Sequence, residues 1–185
     1  VDAYLAQARA EPGRVTFATP GTGSSGHFAT EQFLKLTRTS MNHIPYKGAA
    51  QAVSDLMGGQ VDSSFATLGS VLPQVVSGKL TALAVATPAR LPQLPQVPTF
   101  DEAGVKGYAA DAWYGVLAPA RLPQDVRATL EKVAQDFASA PGTAKSLDTM
   151  GMQPRQICGS AFTEQLTREV DTYRKLASEL DLKAE

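Results

Sequence analysis

The stretch that decides the fold is Val15-Thr-Phe-Ala-Thr-Pro-Gly-Thr-Gly-Ser-Ser-Gly-His-Phe28. The alternation of Val15 and Phe17 predicts a short strand. The strand runs into a loop holding Gly21, Gly23 and Gly26, and the amphipathic residues from Phe28 to Leu36 predict a helix. Strand, glycine loop and helix together aim unpaired backbone N–H groups and the positive end of a helix dipole at one point, where an anion binds. Ser24 and Ser25 add hydroxyl donors and N-cap candidates there. A tight βα turn alone needs fewer glycines and no hydroxyls. The pattern therefore predicts a carboxylate or phosphate site, with N–H groups of residues 23 to 27 as its donors.

The same residues spell G-x-G-x-x-G. In a dinucleotide-binding fold that motif requires an acidic residue about twenty positions on, to hold the ribose. That neighbourhood is Asn42-His-Ile-Pro-Tyr-Lys-Gly48, with no acid in it. Lys47 can meet a 2′-phosphate, so an NADP-dependent enzyme fragment stays open as an alternative.

Helices and strands alternate on either side of this stretch. A helix over 3–10 and a turn at Glu11-Pro-Gly13 precede the strand over 15–19. A helix over 26–37 follows, then a strand over 41–45 and a helix over 49–57 stopped by Gly58-Gly59. A strand over 61–65 and a helix over 69–77, with Leu72, Val75 and Val76 inside, come next. The near-continuous apolar run Leu80 to Ala86 predicts a fourth strand covered on both faces. Four strands separated by helices predict a parallel α/β sheet.

Residues 87–111 interrupt the rhythm with Pro88, Pro92, Pro95 and Pro98, and predict only a turn of helix at Thr99 to Ala103. Beyond a boundary near 112, Trp113 to Ala118 predicts a strand and Pro123 opens a helix with Val126, Leu130, Val133 and Phe137 on one face. Pro141 to Met150 predicts another helix. Ser160 is placed to cap the last one, whose stripe is Phe162, Leu166, Val170, Tyr173, Leu176 and Leu180.

Composition narrows the function. The chain has 185 residues, 43% hydrophobic and 19% charged, with a net charge of −1. It has no cluster of Lys and Arg, which argues against nucleic acid or an anionic membrane as partner. Its single cysteine, Cys158, allows no internal disulfide. The first residues already read as helix, which suggests a mature fragment. Two histidines, His27 and His43, and one cysteine form no metal cluster with recognisable spacing. Ser25 is not in G-x-S-x-G, because position 27 is His27. His27 lies in the first helical turn, where it can donate to an anion or bond a nearby backbone group; both readings stay open. His43, within a strand, reads as structural. Nothing in this inventory reads as catalysis, and no cofactor or metal is expected.

Gly21-Thr-Gly-Ser-Ser-Gly-His27 and His43-Ile-Pro-Tyr-Lys-Gly48 resemble the substrate-binding proteins of tripartite tricarboxylate transporters, the Bug family. Asp55-Leu-Met-Gly-Gly-Gln-Val61, Gly78-Lys-Leu-Thr-Ala-Leu-Ala-Val85, Leu94-Pro-Gln-Val-Pro-Thr-Phe-Asp-Glu-Ala-Gly104 and Ala112-Trp-Tyr-Gly-Val-Leu-Ala-Pro119 carry the same resemblance, in order. It implies a type II periplasmic-binding-protein-like α/β fold whose two lobes close on a small carboxylate. The implied receptor is periplasmic and hands its ligand to transporter membrane subunits without chemistry.

Within that resemblance, residues 1–112 match a complete second lobe with a hinge near 112. Residues 113–185 match only the C-terminal part of the first lobe. The implied ligand contacts are Thr22, Gly23, Ser24, Ser25, Gly26 and His27 in the glycine loop, and Thr67 and Ser70 in a later loop. Tyr46 and Lys47 join them, although a P-Y-K-G turn is equally structural. Where family members often show Asp-Asn-Leu-Pro-Ser after Phe65, this chain has Ala66-Thr-Leu-Gly-Ser70. An incomplete first lobe predicts exposed apolar stripes, with the chain either self-associating through residues 113–185 or leaving that region poorly ordered. The effector-binding domain of a LysR-type transcription regulator shares the general architecture and is a further alternative.

Overall fold

In the computed structural model, which describes residues 1–179, the chain divides into two compact units, 1–112 and 113–179. The first carries α1 (Asp2–Ala10), β1 (Thr16–Thr19), α2 (Ser25–Thr37), β2 (Asn42–Pro45), α3 (Ala49–Met57), β3 (Ser63–Ser64) and α4 (Leu68–Val76). Its strands form a parallel sheet in the order β2-β1-β3. The fold is α/β with a parallel sheet, as expected.

β1 is the central strand, and its alternation sends Phe17 and Ala18 to opposite faces. On the Phe17 side, Leu5 and Ala8 of α1, Phe33 and Leu34 of α2, Phe100, Val105 and Tyr108 form the main buried cluster. On the Ala18 side, Ala52 of α3 and Val61 close a smaller one. A strand covered on both faces needs no polar side, and three of the four β1 residues are buried.

β3 has only two residues, and side chains strengthen its pairing. Asp62 Oδ2 accepts from Thr16 N at 2.8 Å and Thr16 Oγ1 at 2.7 Å. The Ser63 hydroxyl donates to Thr16 O and the Ser64 hydroxyl to Ala18 O, both at 2.9 Å.

The predicted strand over 80–86 does not form. Val85 alone makes a bridge, to Thr99, with its N–H on Pro98 O at 2.9 Å and its carbonyl accepting from Phe100 N at 3.1 Å. The proline-rich segment cannot extend this pairing, since each proline removes a donor from the ladder. Apolar residues here pack instead: Val85, Leu94 and Val97 form a third cluster against Leu72 and Val75 of α4. Val76, expected inside, is 69% exposed.

The second unit holds α5 (Gln124–Ser139), α6 (Pro141–Thr149) and α7 (Gly159–Glu179). Ser160 falls inside α7 rather than capping it. Residues 113–118 are irregular, unpaired and exposed, so the strand expected there is absent. A strand exists only against a neighbour, and the described residues of this unit supply none. Thr143 is the one buried residue among them. Leu180 of the α7 stripe lies outside the described residues.

Candidate functional site

In a parallel sheet all three strand ends point the same way, so the loops that follow them gather on one edge. These loops are Pro20–Ser24 after β1, Tyr46–Gly48 after β2 and Phe65–Thr67 after β3. The chain leaves β1 toward β2 on one side, while β3 pairs on the other. The β1 and β3 loops therefore flank the switch point where ligands of open α/β sheets bind.

Gly26 brings those two loops together. A Cβ at this position would lie 2.5 Å from the Phe65 carbonyl oxygen, so only glycine lets the start of α2 rest against the end of β3. Gly21, at φ 149°, passes close to the Tyr46 carbonyl in the same way. The glycines of the motif thus serve close packing as well as backbone freedom.

The donors expected from residues 23 to 27 are only partly available. Gly23 N–H donates to His27 Nδ1 at 3.1 Å, and His27 N–H donates to Ser24 Oγ at 3.3 Å, the N-cap bond of α2. Ser24 N–H donates to Gly21 O. The N–H groups of Ser25 and Gly26, the first two of α2, have no partner among the described residues; Ser25 and Thr22 are exposed, and Gly26 is buried against the β3 loop. Two adjacent N–H groups at a helix start, beside the Ser24 and Ser25 hydroxyls, suit one carboxylate.

His27 is 3% exposed. Of its two readings, the structure shows the backbone-bonding one. Its ring stacks on His43 with centroids 4.0 Å apart, and His43 stacks on Phe17 at 4.9 Å. Burial pulls the His27 imidazole below its ordinary range, and burial with the His27 neighbour pulls His43 down to about 4. Both are neutral at pH 7. Thr19 Oγ1 sits 2.6 Å from His43 Nε2 and touches Gly21. Sequence reasoning missed Thr19 and left His43 outside the site. Their signal was the parallel register, which sets Phe17 beside His43 and Thr19 beside Pro45.

Tyr46 packs against the Ala18 cluster and its hydroxyl donates to Asp55 Oδ2 at 2.8 Å, a bond that raises the phenol above its usual range. Lys47 is exposed on the same turn. Thr67 and Ser70 lie together at the start of α4, the Ser70 hydroxyl donating to Thr67 O at 2.7 Å. The hydroxyl pair and the glycine loop stand on adjacent strand ends, and Ala66 between them brings no charge. Among the described residues no group of three or more His, Cys, Asp or Glu is placed to hold a metal ion.

The model for the tripartite tricarboxylate transporter family receptor matches residues 1–182. The chain belongs to this family. BugT of Bordetella pertussis is 34% identical over 154 residues, 83% of this chain and 47% of that protein. An R. palustris structure solved with adipate superposes with a TM-score of 0.90 at 29% identity, over 96% of this chain and 60% of that one. The periplasmic binding protein BugD gives 0.87 at 26% identity, over all of this chain and 62% of its own. The chain spans about half the length of the curated relatives it matches. No helix among the described residues is long and apolar enough to cross a membrane.

Proposed function

We propose that this family member is a periplasmic solute receptor that binds a small carboxylate for a tripartite tricarboxylate transporter and performs no chemistry. Residues 1–112 act as one ligand-holding lobe and residues 113–185 as part of the other. The observation that carries the reading is the pair of unpartnered N–H groups at Ser25, exposed, and Gly26, buried, at the switch point of a parallel sheet whose next loop carries Thr67 and Ser70. The contacts are Thr22, Gly23, Ser24, Ser25, Gly26, Thr67 and Ser70, with Tyr46 and Lys47 on the third loop and His27 acting from behind. Delivery to the membrane subunits and self-association through residues 113–185 complete the proposal.

The donor set also selects among acids. N–H groups and neutral hydroxyls complement a carboxylate, whereas a ligand ammonium needs an acid, and Ala66 and Thr67 provide none. The ligand is therefore a dicarboxylate or an aromatic acid without an amino group; adipate, found on the R. palustris relative, is of this kind. Calorimetry with adipate, benzoate, aspartate, glutamate and NADPH tests the reading. Ser25→Ala removes a charge-assisted bond and should weaken the bound acid by about 1.5–3 kcal/mol. Tighter binding of aspartate or glutamate than of their deaminated analogues, or of NADPH than of any acid, would overturn it.

A further inference from the structure

Both histidines of the chain meet beside the central strand, and each is tied to a different glycine of the loop. Phe17, His43 and His27 form one stack, with successive planes inclined by 14° and 16°. His43 Nε2 lies 2.6 Å from Thr19 Oγ1, which is 3.2 Å from Gly21 O and 3.3 Å from Gly21 N. One proton arrangement satisfies all three contacts. His43 Nε2–H donates to the Thr19 oxygen, the Thr19 hydroxyl donates to the Gly21 carbonyl, and Gly21 N–H donates to Thr19. On the other side, His27 Nδ1 accepts from Gly23 N–H at 3.1 Å. That bond exists only while Nδ1 is bare and the imidazole carries its proton on Nε2.

We propose that His27 and His43 are positioning residues: as a neutral stacked pair they hold Gly21 and Gly23 so that the Ser25 and Gly26 N–H groups stay open, and protonation of the pair releases the loop. The release rests on the loop geometry; its effect on a ligand rests on the carboxylate reading above. Glycine has the widest backbone freedom of any residue, so two side-chain anchors on Gly21 and Gly23 remove the motion that would blur the site.

A proton added at His27 Nδ1 turns the acceptor into a donor facing the Gly23 N–H, and the bond is lost. A proton on each ring would set two cations 4.0 Å apart between centroids. Glu31, one turn along α2, is the charged group facing the pair, with Oε1 3.7 Å from His27 Nε2. Its carboxyl is itself raised by burial, so acid weakens it as a counter-charge. β1 contributes only Phe17 and Thr19, and α1 contributes Tyr4, a phenol that burial keeps neutral, to the same Phe17 cluster. The pair is neutral at pH 7, and release sets in as the pH falls and His27, which burial holds below its ordinary range, takes its proton; His43 follows it only near about 4.

The test uses the full chain labelled with ¹⁵N. Long-range imidazole spectra without ligand should show His27 as the Nε2–H tautomer at pH 7, and the Gly23 amide shift should follow the imidazole titration. With adipate as probe, His27→Asn keeps an acceptor near Nδ1 that takes no proton. It should bind within about threefold of wild type at pH 7 and overtake it as the pH falls. His27→Leu and Thr19→Val, which lose the anchor bonds, should each weaken adipate about tenfold or more.

A His27 Nδ1–H tautomer, a Gly23 amide that ignores the titration, or a folded His27→Leu that binds adipate like wild type would each overturn the proposal. If wild type binds no acid while the Gly23 amide follows the imidazoles, the carboxylate reading falls and the loop anchor stands. Should His27→Leu not fold, the His27→Asn comparison decides between the same two outcomes.

Discussion

Phe33 on α2 and Phe137 on α5 occupy equivalent places in the apolar stripe of an amphipathic helix, yet Phe33 has no exposed surface and Phe137 keeps 60% of its own. Phe33 meets Tyr4, Phe65, Phe100 and Tyr108 with ring centroids 5.1–6.4 Å away, contributed by three separate segments. Phe137 faces no such convergence; Val126, Leu130 and Val133 on its stripe are exposed with it. A periodic stripe makes a helix in both regions, but only where a sheet supplies a covering surface does it make a core.

The largest expected effect follows from that contrast. Phe33→Ala should destabilise residues 1–112 by about 3–5 kcal/mol, while Phe137→Ala should cost less than about 1 kcal/mol. Trp113, the chain's one tryptophan, reports unfolding of the second region by fluorescence, and amide exchange at Phe17 and Ala18 reports the first. Equal losses for the two variants would mean that the second region has a core of its own after all.

The same contrast marks how far the sequence could be read. Helices α1 to α7 were legible because their periodicity is local; the span of α3 agrees residue for residue. The glycine loop was legible because strand, glycines and helix are contiguous. Residues 80–86 and 113–118 misled, since an apolar run records burial or exposure tolerance but not a partner strand. Within the site, three of the five N–H groups expected as donors, those of Gly23, Ser24 and His27, already have partners inside the loop. These N–H groups are consumed by His27 Nδ1, Gly21 O and Ser24 Oγ, and nothing in residue spacing announces that a histidine will turn back onto its own loop. His43 and Thr19 come from different strands, and only the parallel register brings them together.

Glycine substitutions sharpen the comparison at a smaller scale. An added Cβ at Gly26 meets the Phe65 carbonyl at 2.5 Å, whereas one at Gly115 meets the ring edges of Phe162 and Trp113 at 2.7 and 2.9 Å. A carbonyl fixed at the end of β3 cannot swing aside; a ring on a partly exposed side chain can. Gly26→Ala should cost about 1–3 kcal/mol and, by prising α2 from the β3 loop, weaken adipate as well. Gly115→Ala should stay within about 0.5 kcal/mol. Thermal unfolding with adipate titration checks both, and an unaffected Gly26→Ala would remove the close approach of the two loops from the site's construction.

The smallest effects separate a carboxylate that joins strands from one that decorates a helix. Asp62 accepts two bonds from Thr16 and fastens the two-residue β3 to β1. Asp136 meets Lys132 at 2.8 Å on α5, an exposed i,i+4 pair with the cation N-terminal, the weaker orientation. Asp62→Ala should therefore cost about 1 kcal/mol, and Lys132→Ala no more than about 0.3–0.5 kcal/mol, falling toward zero in salt. Acidity tells them apart further. The Thr16 bonds hold the Asp62 carboxyl below its ordinary 3.8, so its contribution is full above that value and fades as the pH falls through the lowered one. Stability curves for wild type and Asp62→Ala should run parallel above pH 5 and converge only in stronger acid. Curves that keep their separation after the Asp62 carboxyl has itself been titrated in acid would show that the side chain acts through packing rather than through its charge-assisted bonds to Thr16.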